Sequence, residues 1–316
     1  MRMDFTLNTI NGIIPHRKEV KTMLEFKKVT FEDYDIINAF FQAYPARQCD
    51  RSTAATIMWR NHYDNHYAVY DGTIIFSSNF TGDKCFTHPV GRNVAGMLTE
   101  LEEYCKTTDT PMVVCSVNRS EAPYMLARYQ NCEHSADRDW FDYLYEKEPM
   151  LMLAGRKYGT QRNHINKFKK LFPDYIFKRI TDSDIEKLVE FTKSFSFNSE
   201  KSESALQELE MCIEVLENHE KYNMLGGYLE VNGKVIGYSF GEIIGDTLFD
   251  HIEKADVSYH GAYQMLTNCF LREFAADENV KFVNREEDCG DEGLRKSKLS
   301  YHPVELIEKT TFKIEL

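Results

Sequence analysis

The sequence predicts an α+β protein that contains two copies of one mixed-sheet unit, and three short matches between its halves predict this duplication. The matching pairs are Phe26-Lys27-Lys28-Val29-Thr30 with Phe177-Lys178-Arg179-Ile180-Thr181, Asp71-Gly72 with Asn232-Gly233, and Val117-Asn118-Arg119 with Val283-Asn284-Arg285. The matches occur in the same order in both halves, which favours a duplication over coincidence.

Each copy begins with a short strand that leads into helices. Thr30 and Thr181 stand where the N-cap of a helix belongs, and the apolar residues that follow them recur at helical spacing. Apolar, β-rich runs flank the turns Asp71-Gly72 and Asn232-Gly233, and such turns are typical of antiparallel hairpins. Each copy therefore continues from its helices into a hairpin.

A long helix, another strand, a further helix and a closing strand complete each copy. This order is that of the GNAT-like acyl-CoA N-acyltransferase fold, whose mixed sheet splays between its central strands to receive the acyl donor. The predicted fold is therefore a tandem duplication of that unit. In the first copy the closing strand is the aromatic-rich run from Trp140 to Tyr145.

The boundary between the copies is expected where this run gives way to Glu146-Lys147-Glu148-Pro149. We therefore expect an N-terminal extension of residues 1–22, a first GNAT-like domain of residues 23–145, and a second GNAT-like domain of residues 146–316 that carries the active site.

Composition limits the possible class of protein. The chain has 316 residues, 42% of them hydrophobic and 28% charged, and no apolar run approaches the ~20 residues that cross a bilayer. The first residues do not resemble a secretory signal, so we expect a cytoplasmic protein without a transmembrane segment. Eight cysteines lack zinc-binding spacing, which predicts reduced thiols and no metal site. The net charge of −12 argues against non-specific coating of nucleic acid.

Two segments concentrate charge. The first, Gly155–Lys170, carries six cations and no acid, and its cations either keep a helix soluble or bind phosphate. The second, Asn284–Pro303, places acids, bases, Tyr301 and His302 directly after a short apolar strand. It is either a charged surface loop or a site, and strand ends are where α/β proteins place chemistry.

Three motifs in the second copy resemble the C-terminal catalytic domain of the phosphatidylglycerol lysyltransferases. They are Gly155-Arg156-Lys157-Tyr158 with Arg162-Asn163-His164-Ile165-Asn166-Lys167-Phe168, then His251-Ile252-Glu253-Lys254-Ala255 with Gly261-Ala262-Tyr263-Gln264, then Asn284-Arg285-Glu286-Glu287-Asp288 with Gly293-Leu294-Arg295-Lys296 and Lys298-Leu299-Ser300-Tyr301-His302-Pro303. They cover most of the second copy, whereas the first copy is matched mainly by its layout.

The resemblance implies a tandem GNAT-like fold shared with Fem-type peptidoglycan aminoacyltransferases. It also implies transfer of an aminoacyl group from a charged tRNA to an amine or hydroxyl on a small molecule, a peptide or a lipid headgroup. The sequence holds no counterpart of the lysyltransferases' membrane-embedded half, so a lipid acceptor is the least expected of these. No cofactor is firmly predicted; aminoacyl-tRNA is the expected donor.

Such a transfer needs a base for the nucleophile's proton and a donor for the tetrahedral oxyanion. We expect Glu287 or Glu286 to take the proton, and Arg295 and Lys298 to contact the oxyanion or a phosphate.

Other side chains from the same motifs are expected to handle substrate. Tyr301 and His302 either position the acceptor or relay a proton, or each is a packed ring that satisfies a hydrogen bond. Glu253 either binds the donor's amino group or forms a cross-strand ion pair. Lys254 and Arg285 are expected beside it among the substrate-binding residues. The acceptor end of the tRNA is expected to contact Arg156, Arg162, Asn163, His164, Lys167 and Lys169.

Two alternatives remain open at this point. A CoA-dependent N-acyltransferase needs a glycine-rich turn whose N–H groups approach pyrophosphate, and the turn Ser258–Tyr263 has one glycine and several bulky rings. A duplicated fold without catalysis would instead be a binding module. The acids and bases retained in the second copy argue against such a module, whereas the first copy, in which no charged run follows Asn118-Arg119-Ser120-Glu121, is expected to be a structural remnant.

Overall fold

The structure is a computed structural model that describes residues 24–80, 82–196 and 203–316. The expected N-terminal extension, residues 1–22, lies outside the described residues. The chain forms two compact units, one made of the described residues up to Phe141 together with Ile307–Leu316, the other of Asp142–Leu306. Both contain a mixed sheet with helices, so the predicted tandem α+β fold is confirmed.

The strands of the described residues are numbered in chain order. They are β1 (Lys27–Lys28), β2 (His66–Tyr70), β3 (Thr73–Ser78), β4 (Cys85–Thr87), β5 (Val90–Gly91), β6 (Met112–Asn118), β7 (Cys132–Ala136), β8 (Asp142–Glu146), β9 (Ile176–Arg179), β10 (Leu225–Val231), β11 (Lys234–Ile244), β12 (Thr247–Ala255), β13 (Phe282–Asn284), β14 (Glu305–Ile307) and β15 (Lys309–Ile314).

The α-helices of the described residues are also numbered in chain order. They are α1 (Tyr34–Ala43), α2 (Thr53–Met58), α3 (Val94–Thr108), α4 (Ala122–Arg128), α5 (Lys147–Met152), α6 (Gly159–Leu171), α7 (Ile185–Ser196), α8 (Glu203–Glu217), α9 (His219–Tyr222), α10 (Ala262–Phe274) and α11 (Glu292–Leu299).

The two sheets have the same architecture. In the first unit the order is β1-β2-β3-β4-β6-β15-β7, with β5 added beside β3. In the second unit the order is β9-β10-β11-β12-β13-β8-β14. Each sheet contains a parallel pair at its centre, β4 with β6 and β12 with β13. A parallel pair at the centre of a mainly antiparallel sheet is the arrangement that the predicted fold requires.

The units exchange their closing strands, so the division of the chain differs from the expected 23–145 and 146–316. Strand β8, expected to close the first copy, pairs with β13 in the second sheet, and the C-terminal strand β15 takes the equivalent place beside β6 in the first. Both strands contribute buried apolar residues, and each pairs with a strand of a central parallel pair, β8 with β13 and β15 with β6. Local sequence therefore does not specify which of the two sheets each strand joins.

The repeat is also visible in side-chain contacts. Thr30 and Asp33 form a reciprocal capping box before α1, and Thr181 and Asp184 form the same box before α7. In the first unit the hydroxyl of Tyr67 donates to Asp33 Oδ1 at 2.9 Å. Tyr228 makes the equivalent bond to Asp184 at 3.0 Å. The matched sequence fragments thus fold into the same local structure.

Each unit has its own apolar core, and the core of the second unit fixes the strands around its parallel pair. Helix α10 packs on β11 and β12, where it places the fully buried side chains of Leu266 and Phe270 against the sheet. Burial of such a side chain stabilises the fold by about 1.5–3 kcal/mol. This packing holds the polar residues of β12 in fixed positions.

Candidate active site

The candidate site lies in the second unit, where the pairing of β12 with β13 ends. The last partners are Phe249 and Asn284. Beyond them, β12 continues with Asp250, His251 and Glu253, while the chain after β13 continues with charged residues. The register of β12 against β11 also shifts at His251, which lies at a β-bulge. Bulges are common beside active sites because they redirect side chains.

Beyond their last pair, β12 and β13 no longer hydrogen-bond to each other, which leaves a gap between the two strands. Arg285 is the central cation of this gap. One of its amino groups, Nη2, donates to the carboxylate of Glu253, which also accepts from the hydroxyl of Thr267. Arg285 Nε lies 3.5 Å from Asp250 Oδ2, and the guanidinium lies 5.3 Å from the centre of the Tyr301 ring. Arg285 is 8% exposed, and its Nε and Nη1 have no hydrogen-bond partner among the described residues. The guanidinium is thus held by two carboxylates while Nη1 stays uncommitted.

Asp250 is the buried carboxyl next to this arginine. Burial raises its pKa, and the neighbouring Glu253 raises it further, to about 7, although Arg285 and a 2.8 Å hydrogen bond from Ser239 oppose the rise. A carboxyl group with such a pKa exchanges a proton near neutral pH.

His251 bridges two carboxylates across the same gap. Its Nδ1 lies 2.7 Å from Glu286 Oε1 and its Nε2 lies 3.0 Å from Glu242 Oε1. Burial alone would lower the pKa of His251, but these two carboxylates raise it to about 10, so the ring is a buried imidazolium. The charge of His251 therefore fixes the position of the Glu286 carboxylate.

Glu286 has one oxygen held and one available. Its side chain is 20% exposed, and no hydrogen bond from the described residues reaches Oε2. Its backbone has φ of 54°, and its N–H donates to the side chain of Asn284 at 2.6 Å. This left-handed conformation, which most residues avoid, turns the chain directly after β13.

The following residues form a second polar cluster. Asp288 is fully buried and accepts two hydrogen bonds from Arg295, at 2.9 and 2.7 Å, and one from the hydroxyl of Tyr143 at 2.6 Å. Burial opposes ionisation of this carboxyl, yet Arg295 and Tyr143 hold its pKa below the usual range. Arg295, expected to contact an oxyanion, is thus largely committed to Asp288.

Lys298 and Glu287 meet through the backbone. The ammonium group of Lys298 donates to the carbonyl of Glu287, and burial, with Arg285 nearby, lowers the pKa of Lys298. Lys298 is 6% exposed. This contact orders the loop after β13 and brings the lysine to the carbonyl of Glu287 rather than to its carboxylate.

Tyr301 and His302 have different environments. Tyr301 is buried beside Arg285, and burial raises its pKa to about 12. His302 is exposed, donates from Nε2 to the carbonyl of Lys157 at 3.1 Å, and packs against the ring of Tyr158. The structure therefore brings Tyr301 into the gap and attaches His302 to the segment before α6.

The residues expected to receive the tRNA fall into two groups. Arg162 donates to the carbonyls of Leu153 and Gly155, the latter at 2.6 Å, and so supports the loop after α5. His164 contacts His260, with their ring nitrogens 3.2 Å apart. Four other expected contacts are exposed: Arg156, Asn163, Lys167 and Lys169. Lys254, which was expected among the substrate-binding residues beside Glu253, donates from Nζ to the carboxylate of Glu208 at 2.6 Å.

Sequence reasoning assigned no role to Asp250, His251 or Glu242. The available signal was the interruption of an apolar strand by polar residues in Thr247–Ala255, since a strand buried on both faces is expected to be apolar throughout. The partners of these residues come from other strands and loops, so their pairing was not visible in the sequence.

Comparison with known proteins places the chain in a family. The duplicated sheet with its central parallel pair defines a tandem GNAT-like fold. The family model described as phosphatidylglycerol lysyltransferase, C-terminal, matches residues 41–311, and the chain belongs to this family.

Solved structures share the fold. A conserved protein of unknown function from Bacteroides thetaiotaomicron is 33% identical, with a TM-score of 0.88 over 93% of this chain and 100% of that one. L-PGS from Bacillus licheniformis is 10% identical, with a TM-score of 0.63 over 88% and 91%. FemX is 9% identical, with a TM-score of 0.62 over 92% and 97%. The last two show similarity of fold alone.

A curated relative matches part of the chain. This uncharacterized protein of Mycoplasmoides gallisepticum is 25% identical over 174 residues, which are 55% of this chain and 56% of the relative. The match thus spans little more than half the length of the curated relative. No helix among the described residues is both long and apolar enough to cross a bilayer.

Proposed function

We propose that this chain transfers an aminoacyl group from a charged tRNA to an amine or hydroxyl acceptor, with the reaction at the gap between β12 and β13. The observation that carries the proposal is the pair of uncommitted atoms beside this gap, Arg285 Nη1 and Glu286 Oε2, each on a side chain that buried partners hold in place. Membership of the lysyltransferase family supports this class of transfer.

The proposed reaction assigns one role to each of these groups. The acceptor attacks the ester carbonyl, Glu286 Oε2 takes the proton that the acceptor loses, and Arg285 Nη1 donates to the oxyanion that forms. Collapse of this intermediate releases the ribose hydroxyl of the tRNA, and Glu286 returns the proton to it. His251 keeps Glu286 in position, and Glu253 does the same for Arg285. Proton acceptance is thus assigned to Glu286 rather than Glu287.

The proposed contact with the tRNA acceptor end uses the exposed cations that lie just before α6 and along it. Arg156, Lys167, Lys169 and Lys170 are exposed and form no ion pair among the described residues. Lys and Arg in such positions bind phosphates without reading sequence. Arg162 is left out of this contact because it already binds two carbonyls.

A CoA thioester is the less supported donor. The backbone N–H groups of Ser258, Tyr259 and Ala262 all donate to acceptors within their own turn. In addition, a Cβ at Gly261 would lie 2.6 Å from the carbonyl of His164, so α6 packs directly on this turn. Pyrophosphate recognition needs free N–H groups, and these three are already engaged.

The test uses the purified chain, tRNA charged with a mixture of radiolabelled amino acids, and the small-molecule and peptide fractions of a cell extract. We expect loss of the aminoacyl ester and appearance of label in a new product. Glu286→Gln should slow this transfer by about 10²–10⁴-fold, the usual range for a general base. The matched control is Glu287→Gln, which removes the neighbouring carboxylate and should keep most of the activity.

Three results would contradict the proposal. Full activity of Glu286→Gln would exclude its role as the base. Binding of acetyl-CoA, but not of charged tRNA, in titration calorimetry would favour the CoA-dependent enzyme. Binding of charged tRNA without any turnover would favour a binding module.

A further inference from the structure

Asp250 is a buried carboxyl group of the gap to which the proposed reaction assigns no role. It is the first residue of β12 beyond the last pair with β13, and its side chain is 2% exposed. One oxygen, Oδ1, accepts from the hydroxyl of Ser239 at 2.8 Å, and the other, Oδ2, lies 3.5 Å from Arg285 Nε. The two oxygens of Asp250 therefore face one fixed donor and one cation.

The contact between Asp250 and Arg285 is incomplete. Arg285 Nη2 donates to Glu253, whereas its buried Nε has no hydrogen-bond partner among the described residues. At 3.5 Å, Asp250 Oδ2 is within ion-pair distance of Nε but beyond the 2.7–3.2 Å of a good N–H···O hydrogen bond. The guanidinium thus donates to one carboxylate and is only attracted by the other.

The proton state of Asp250 decides whether this second bond can form. A carboxylate accepts at both oxygens, whereas a neutral carboxyl group carries a hydrogen on one of them. Because Oδ1 already accepts from Ser239, the proton of a neutral Asp250 belongs on Oδ2, where it faces the N–H of Arg285 Nε. Two donors cannot bond to each other, so only the ionised form of Asp250 pairs with Nε.

The charges around Asp250 place its ionisation near neutral pH. Burial raises its pKa most, and Glu253 on the same strand raises it further, while Arg285 and Ser239 lower it. Glu286, which follows β13, adds to the rise, and the resulting pKa is about 7. The two proton states of Asp250 therefore exchange in the range in which the protein would work.

Other titratable groups face the gap from the surrounding elements. On β12, His251 stays protonated near neutral pH because its pKa is about 10, and it contacts Glu242 of β11. Tyr301 stays neutral because its pKa is about 12, and Lys298 of α11 donates to the carbonyl of Glu287. Asp250→Asn leaves all of these groups in place and removes the ionisation of Asp250 alone.

We propose that Asp250 is a positioning residue whose ionisation completes the hold on Arg285 and so directs Arg285 Nη1 at the developing oxyanion. This role rests on the proposed aminoacyl transfer. When Nη2 donates to Glu253 and Nε to ionised Asp250, two sides of the guanidinium are fixed and Nη1 is the remaining donor. When Asp250 is neutral, the guanidinium can turn about its one bond to Glu253. The site is therefore competent above about pH 7.

The first test follows the Nε signals of ¹⁵N-arginine-labelled protein by NMR from pH 5.5 to 8.5, without substrate. The signal of Arg285 is identified by its loss in Arg285→Lys. We expect its shift to change with a single midpoint near pH 7, as the bond to Asp250 forms. In Asp250→Asn, which has the same shape but cannot ionise, the shift should stay constant across this range.

The second test measures the pH dependence of transfer from charged tRNA. In the wild type, kcat/KM should fall about tenfold per pH unit below pH 7, as a single ionisation requires. Asp250→Asn should lack this dependence. Its kcat at pH 8 should lie about 10²-fold below that of the wild type with KM unchanged, because the misplaced donor acts only in the transition state. Asp174→Asn, the same change at an exposed position of the second unit, should keep the wild-type profile.

Circular dichroism establishes that each variant is folded before it is compared. The inference is overturned if the Arg285 signal stays constant in the folded wild type, or if the midpoint near pH 7 persists in Asp250→Asn. A wild-type pH profile of transfer in Asp250→Asn would overturn it as well. A titrating Arg285 signal in a protein that transfers nothing would instead refute aminoacyl transfer and uphold the pairing of Asp250 with Arg285.

Discussion

Replacing His251 with glutamine removes a positive charge buried between two carboxylates, and the effect on stability is expected to depend on pH. In the folded protein Glu242 and Glu286 contact both ring nitrogens of His251, whose side chain is fully buried. Glutamine has similar length and donates to one of them, but it carries no charge. The pH dependence of the stability difference between wild type and variant therefore reports the charge of His251 separately from the packing of its side chain.

The sign and size of the effect on the free energy of unfolding follow from the pKa of His251 in the folded and unfolded states. The folded state raises the pKa of His251 to about 10, against about 6.5 in an unfolded chain. The protonated ring therefore stabilises the fold fully below pH 6.5, and this contribution is lost as the pH rises towards 10. Within that window the free energy of unfolding should fall by about 1.4 kcal/mol per pH unit, on the order of 5 kcal/mol in total.

The assay is urea unfolding followed by far-UV circular dichroism at half-unit steps from pH 7 to 9.5. The quantity compared is the free energy of unfolding of the wild type minus that of His251→Gln, so that other groups which titrate in this range cancel. We expect this difference to shrink with rising pH. His62→Gln, at an exposed histidine, serves as the matched control. A difference that stays constant across the range would refute a buried imidazolium at His251.

Three further predictions concern stability and are measured by urea unfolding at pH 7 unless stated. Gly261→Ala should destabilise by more than about 2 kcal/mol, because φ is +83° and the new Cβ would meet a carbonyl at 2.6 Å. Gly233→Ala, at φ +76° with nothing within 4 Å, should cost only about 1 kcal/mol, and equal losses would contradict this reasoning. Asp288→Asn should cost about 3 kcal/mol, since it breaks a buried ion pair, whereas Asp35→Asn on the surface should be neutral. Asp184→Ala should cost about 1–2 kcal/mol through loss of the capping box. Because the fold lowers the pKa of Asp184 to about 2, part of this cost should disappear as the pH falls from 4 towards 2; an unchanged cost at low pH would argue against the ionised cap.

Local sequence was sufficient for the elements of the fold. The capping boxes at Thr30 and Thr181 act between neighbours in the chain, and the turns Asp71-Gly72 and Asn232-Gly233 adopt the positive φ values that their residue types allow. These features repeat in order, so the duplication and the type of unit were predictable. They depend on contacts a few residues apart, which is why the sequence displays them.

The candidate site was only partly predictable. The charged segment follows the end of β13, as expected, and there Arg285 meets Glu253. The sequence did not show which of these side chains keep an atom free to bind substrate, because this depends on hydrogen-bond partners that are distant in the chain. Arg295 is taken up by Asp288 and Tyr143, and Arg162 by two loop carbonyls.

By itself, the sequence determined the duplicated α+β unit, the location of its charged segment and the family resemblance, because local periodicity, turn chemistry and motifs carry that information. Only the tertiary structure decided that β8 and β15 exchange sheets and that His251 is a buried cation between Glu242 and Glu286. Strand partners and the electrostatic environment of a buried group arise from contacts between segments far apart in the chain. The residues on their own do not encode those contacts in any local pattern.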